Sequence, residues 1–485
     1  MAEITQILTN DLSPKRGRRQ AASPARVRSF ITHRKTIDLS LSSDGQFGQV
    51  CKTPSLSSKR NFIRNILKLN RLCGSSKSYT PLNECFPPYK EIAGRTVGVN
   101  LNRAHDLYAD KLAVANRELF AQFMMRIYFE IPSCTLAVFS KLKTLQGSNF
   151  SGFREHFLAQ LRSLFVVPAD TFDNVDGDFP IGFQIWDTKC ADVFRGFSAD
   201  VFDRESSYIG TKMIYLPEKG RYFSNWIVSN KAKDGTRLGW LDGCTYNDFQ
   251  KCRYLNIQND KPVNNSQPRG AYIYDSNLVP YCVAFAVRLA ISANWLNDRD
   301  QFMVPKSSWE ADAFFQTDCL VYTLFHGQNR ITSSLGTNHW IPFREEEVNS
   351  PAPFNSRFMV DFLEGKYRRK VSGTMDNLFE QQAAEKVSVS RPLDSLSEEA
   401  KTLLDAGREL WLYYMSKPGI NVNASFLDIR AYFQGYKTTE TGRRMMNSTS
   451  TDEHYTELLS ALREKLKALE ARIEPKIYEY GFLLK

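Results

Sequence analysis

The sequence predicts an α/β protein: a mostly parallel sheet with helices over residues 83–190, a mixed α+β region over 191–365, a linker over 366–392 and helices over 393–485. Three observations carry that prediction. Amphipathic periods of helical spacing alternate with short apolar runs between 106 and 187. The last two apolar runs are separated by a turn cluster, as a closing strand-turn-strand requires. After 393, apolar residues recur every three or four positions behind capping signals.

The first helix is predicted over 106–131, where Leu112, Leu119, Phe120, Phe123, Met124, Ile127 and Ile131 share helical spacing. "TLAVFSK" (135–141) reads as a short buried strand. In 147–161, Ser148 or Ser151 is placed to cap a helix whose Phe150, Phe153, Phe157 and Leu161 make one stripe. "SLFVVPA" (163–169) is a second buried strand and "DNVDGD" (173–178) a turn. "FPIGFQIWD" (179–187) alternates Phe179, Ile181, Phe183 and Ile185 on one face. This order implies a mostly parallel sheet to which the final strand adds an antiparallel edge.

Residues 191–365 are rich in aromatics and turns, with 272–296 the most apolar passage. The loop "HGQNR" offers Gln328, Asn329 and Arg330, side chains suited to base edges, the plain alternative being a hydrogen-bonded turn. His326 and His339 are too isolated to argue a metal site. "SLSE" (395–398) reads as a capping box, and "STDE" (450–453) opens a last helix that Pro475 should stop. Its Tyr455, Leu458, Leu459, Leu462, Leu466, Leu469 and Ile473 are expected to pack on their own domain rather than in an intermolecular coiled coil.

Charge is unevenly spread. Residues 1–82 form a basic, serine-rich segment that reads as poorly ordered; the first 80 carry 15 Lys and Arg against 4 Asp and Glu, a net of +11 that leaves the remainder at −1. Such a segment suits non-specific, salt-sensitive contact with nucleic acid. Within it, 61–72 has the pattern of a short basic amphipathic helix, whose plain reading is a solvated surface helix. The nine cysteines are scattered without a CxxC pair, which argues against a disulfide framework or a zinc site and favours a reducing cytoplasm. No run approaches the roughly 18 to 20 apolar residues of a membrane span.

The chemistry begins at "NECFPPYKE" (83–91), where a rigid Pro-Pro turn is followed at once by an aromatic ring. A PPY turn ahead of helix, strand, helix and closing hairpin resembles the adenine-specific DNA methyltransferases, whose catalytic motif is NPPY. The stretches 116–132, 140–158, 167–188, 297–302 and 319–343, and the end "EPKIYEYGFLLK", are similar to one bacterial branch of that family, the large restriction-modification type. The resemblance covers roughly 83–485. It implies part of a Rossmann-like class I methyltransferase sheet, then a target-recognition region. Double-stranded DNA is the implied substrate, S-adenosylmethionine the implied methyl donor, and the bacterial cytoplasm the implied location.

In this family the Asn of NPPY and the first Pro carbonyl accept the hydrogens of the adenine amino group, and the aromatic ring stacks on the flipped base. Carried over, Pro87 supplies the carbonyl, Pro88 the rigid turn and Tyr89 the stacking surface. The Asn position holds Phe86, which accepts no hydrogen bond. The family's glycine-rich cofactor turn, D-P-x-x-G-x-G, has no counterpart upstream; "SDGQFGQV" (43–50) lacks the Pro and the spacing. The expectation is a methyltransferase truncated at its cofactor-binding half, inactive alone, with that half in another frame or another chain. The alternative is a non-catalytic DNA-recognition remnant or subunit that needs a partner. A restriction endonuclease component is disfavoured, because the paired acids a metal-dependent nuclease needs are not apparent in 1–82.

Overall fold

The computed structural model describes the backbone of residues 90–92 and 95–97, and residues 103–131, 133–172, 175, 177–263, 269–368 and 391–485. The segment 1–82, the turn Phe86, Pro87, Pro88 and Tyr89, and most of the linker lie outside the described residues. Strands β1 (Lys90–Ile92) and β2 (Arg95–Val97) pair antiparallel.

Two helices follow where one is expected. α1 (Arg103–Leu112) and α2 (Leu119–Glu130) are separated by a 3₁₀ turn, Ala113–Arg117. The break starts at Ala113, whose φ of 47° leaves the helical region. Buried Asn116 then donates to the His105 carbonyl, and Gln122 donates to the Asn116 carbonyl at 2.7 Å. Polar side chains thus satisfy backbone groups that the break frees.

β3 (Thr135–Lys141), α3 (Lys143–Gln146), α4 (Ser151–His156), β4 (Ala159–Pro168), β5 (Pro180–Ala191), β6 (Gly196–Phe202) and β7 (Tyr208–Tyr215) come next. The five strands form one sheet in the order β3-β5-β4-β6-β7. Only β4 and β6 are parallel neighbours; β5 is antiparallel to both β3 and β4. The protein is therefore mixed α/β, and within the described residues its sheet is not mostly parallel. The last hairpin strand lies inside the sheet because both of its faces are apolar enough to bury. Phe183 joins a small aromatic cluster with Phe165, Val167 and Phe202 on one face, while Trp186 faces the larger core built by α1, α2 and α4. Gln184, fully buried beside Trp186, donates to Ser140 and accepts from Thr144 and Trp186.

Two further expectations are corrected here. The helix after 147 ends at His156, with Leu161 already in β4, and neither Ser148 nor Ser151 caps it through its side chain. The sheet also continues beyond 190, through Tyr215.

The remainder holds α5 (Phe223–Ser229), β8 (Arg237–Asp242), β9 (Asn256–Gln258), β10 (Ala271–Tyr274), α6 (Leu278–Leu289), α7 (Ala313–Phe325), α8 (Phe358–Leu363), α9 (Glu398–Met415), α10 (Phe426–Gln434), the hairpin β11 (Tyr436–Thr438) and β12 (Arg444–Met446), and α11 (Glu453–Glu479). One hydrophobic core runs from Phe223 to Leu483, so 191–365 and the C-terminal helices share it. α9 is capped by Ser397 rather than Ser395, because the Ser397 hydroxyl donates to buried Asp318 at 2.5 Å and accepts from Ala400 N. α11 is capped by Asp452. It packs on α7 and α9 within the chain and runs straight through Pro475. Pro475 sits on the exposed face, as does Ala471, whose carbonyl has no N–H to accept from at Pro475, while Ile473 and Ile477 stay buried. No described helix is long and apolar enough to cross a membrane.

Candidate functional site

A cleft of about 340 Å³ opens where β3 ends. Its wall is built from Val114, Arg117 and Glu118 on the turn between α1 and α2, from Lys143 and 147–150 just beyond β3, and from Asp248 and Arg299 of the second core. Three stretches that carry the family resemblance, 116–132, 140–158 and 297–302, meet here from distant parts of the chain.

The charges are held in place by their neighbours. Lys143 pairs with Glu118 at 2.5 Å, and Arg299 lies 3.0 Å from Asp298 and donates to Gln250 at 2.9 Å. Gln301 donates to Asp248 at 2.6 Å. Lys141, at the end of β3, lies 4.4 Å over the Phe179 ring; burial, then the charges of Lys143 and Arg299, push its ammonium below the usual lysine range. Burial raises the Asp298 carboxyl. Arg117 is exposed and forms no ion pair among the described residues. The lining thus carries three cations, Arg117, Lys143 and Arg299, against two carboxylates, Glu118 and Asp248, and Arg117 has no ion pair among the described residues. A sulfonium is a poor match for that wall, and the lining holds no glycine-rich turn. The cleft's lining therefore shows no cradle for S-adenosylmethionine.

The cleft is fastened to the sheet. Lys212 on β7 donates to Asp300 at 2.8 Å, and the Tyr215 hydroxyl donates to the Gln301 carbonyl. Burial pushes the Asp300 carboxyl up to about 6 against the pull of Lys212.

The second candidate, Gln328, Asn329 and Arg330, follows α7. Asn329 is buried, donates to the Thr323 carbonyl and accepts from Ile331 N, so its groups are consumed by the loop. Gln328 and Arg330 stay accessible and bond to each other at 2.5 Å. His326 accepts from Gln328 N; burial, then the charge of Arg430, hold its imidazole down at about 4. Among the described residues, no three His, Cys, Asp or Glu side chains stand close enough to hold a metal ion.

Sequence reasoning named neither Arg117, Lys143 nor Arg299 as site residues. Their signal was present all the same, since each lies in a stretch that resembles the family. No family model, curated protein or solved structure matches the chain.

Proposed function

We propose that this chain is the DNA-engaging part of an adenine-specific DNA methyltransferase of the bacterial restriction-modification type. The observation that carries the reading is the convergence of three resembling stretches on one cationic cleft at the end of β3, beside the β4-β5 hairpin that the resemblance implies. In this reading Arg117, Lys143 and Arg299 hold the phosphates of the strand carrying the target adenine. Gln328 and Arg330 face base edges, and Tyr89 with the Pro87 carbonyl orients the flipped base.

Phe86 favours a second form of the same reading, a recognition subunit without activity of its own. Losing one preorganised acceptor costs about 10²- to 10³-fold in rate. A chain with no recognisable glycine-rich turn depends on a partner chain for the methyl donor.

Two measurements test this. Selection of bound duplexes from a random library should enrich a defined adenine-containing sequence; retention of duplexes without enrichment would sink the reading. Mass spectrometry of DNA incubated with the chain and S-adenosylmethionine should find no N6-methyladenine, with or without Phe86→Asn.

A further inference from the structure

The hairpin β11-β12 carries a second cationic surface, far in sequence from the cleft. Between Arg430 and Met446 stand four basic residues, Arg430, Lys437, Arg443 and Arg444, against the single acid Glu440. Lys437, Arg443 and Arg444 are exposed, and none of the four forms an ion pair among the described residues. Elsewhere on the described surface about half of the exposed arginines have a carboxylate within 4 Å, as Arg195 has Glu218 and Arg204 has Asp170.

The hairpin is tied by hydrogen bonds at its root and at its tip. Gly435, at φ 65°, turns the chain out of α10. At its root Gln434 and Asn447 exchange side-chain to backbone hydrogen bonds of 2.7 and 2.8 Å. Its tip is closed by Thr439 N donating to the Arg443 carbonyl, and Arg444 lies 4.1 Å over the Tyr436 ring.

The ribbon and the HGQNR loop form one platform. Asp428 of α10 accepts from the Thr332 hydroxyl at 2.6 Å and from Ser333 N at 2.9 Å, so that carboxylate holds the segment just after the loop and is not in an ion pair among the described residues. A Cβ on Gly327 would stand 3.2 Å from an Arg430 nitrogen, which places that guanidinium against the loop. Burial, then the nearby charge of Arg443, lowers Arg330, with Asp242 the opposing acid.

Like charges held together on rigid backbone are destabilising unless an anion covers them, and a two-stranded ribbon has the width to follow a DNA groove. We propose that the β11-β12 ribbon, through Lys437, Arg443 and Arg444, binds the phosphate backbone of double-stranded DNA beside the HGQNR loop. This rests on the DNA reading above and adds a contact surface to it.

The test is fluorescence anisotropy of a short labelled duplex with the full chain over a salt series. Replacing Lys437, Arg443 and Arg444 with Ala should lower the slope of log affinity against log salt by about 2 to 3, since each phosphate contact contributes about 0.9. Arg443→Gln alone, which leaves Arg444 on Tyr436, should lower it by about 1. The control replaces exposed Arg195, Arg204 and Lys219 with Ala, removes the same charge, and should leave the slope unchanged. Equal slopes for the unaltered chain and both ribbon variants overturn the ribbon assignment and leave the DNA reading standing. An equal drop in the control overturns it too, as does competition by polyglutamate as effective as by duplex. An unaltered chain that binds no duplex overturns both.

Discussion

Lys212 on β7 and Asp300 in the 297–302 loop form a buried ion pair, 2.8 Å apart, with side chains only 12% and 6% exposed. The pair joins the five-stranded sheet to the second core, with Asp300 next in the chain to Arg299 of the cleft lining. Removing one partner strands the other charge, which commonly costs about 3 to 5 kcal/mol. Lys212→Met should therefore destabilise strongly at pH 8 in urea melts. The Asp300 carboxyl is already raised to about 6 by burial, so the folded state binds its proton more readily than the unfolded chain. Its contribution to stability is accordingly greatest below pH 4 and falls as pH rises to 6. The penalty of Lys212→Met should shrink at pH 5, where Asp300 is neutral; a penalty independent of pH contradicts the assignment.

Gly407 in α9 offers a test of packing against propensity. Alanine in a helix interior ordinarily gains about 1 kcal/mol over glycine. Here a Cβ would stand 2.3 Å from the Phe325 ring, in the buried crossing of α9 and α7. Overpacking costs about 1 to 3 kcal/mol, so Gly407→Ala should lower the melting temperature.

The chain end is a core element. Phe482 is fully buried against Phe223, Trp226 and Phe315, and its carbonyl accepts from Met303 N at 2.9 Å. Phe482→Ala should cost about 3 to 5 kcal/mol in denaturant melts.

Neighbouring residues of the HGQNR loop should separate fold from binding. Asn329→Ala leaves the Thr323 carbonyl and Ile331 N without their buried partner and should cost about 1 to 3 kcal/mol. Gln328→Ala and Arg330→Ala should leave melting unchanged and weaken duplex binding. His326, held neutral, has the opposite pH signature to Asp300. Its lowered value means that stability is complete above pH 6.5 and is lost as pH falls towards 4. Proton titration of the His326 ring by NMR checks this directly.

In the cleft, Arg117→Glu should weaken duplex binding without lowering stability, because Arg117 is exposed and free of ion pairs among the described residues. A loss of folding in circular dichroism would show that Arg117 is structural.

The sequence by itself placed strands at 135–141, 163–169 and 179–187, where the structure has 135–141, 159–168 and 180–191, and it located the start of the last helix. Alternation and the 3.6-residue period are local properties, written in neighbouring residues. It did not determine the caps, which Ser397 and Asp452 took because Asp318 and Tyr413 stand beside them in space. Nor did it determine that β5 lies inside the sheet, or that α11 continues through Pro475, since both depend on which faces tertiary packing buries. The roles within "HGQNR" were likewise decided by the fold, which consumes Asn329 and leaves Gln328 and Arg330 accessible. The cleft is the clearest case. Arg117, Lys143 and Arg299 lie far apart in the chain, and only the packing of the sheet on the second core through Lys212 and Asp300 brings them to one wall.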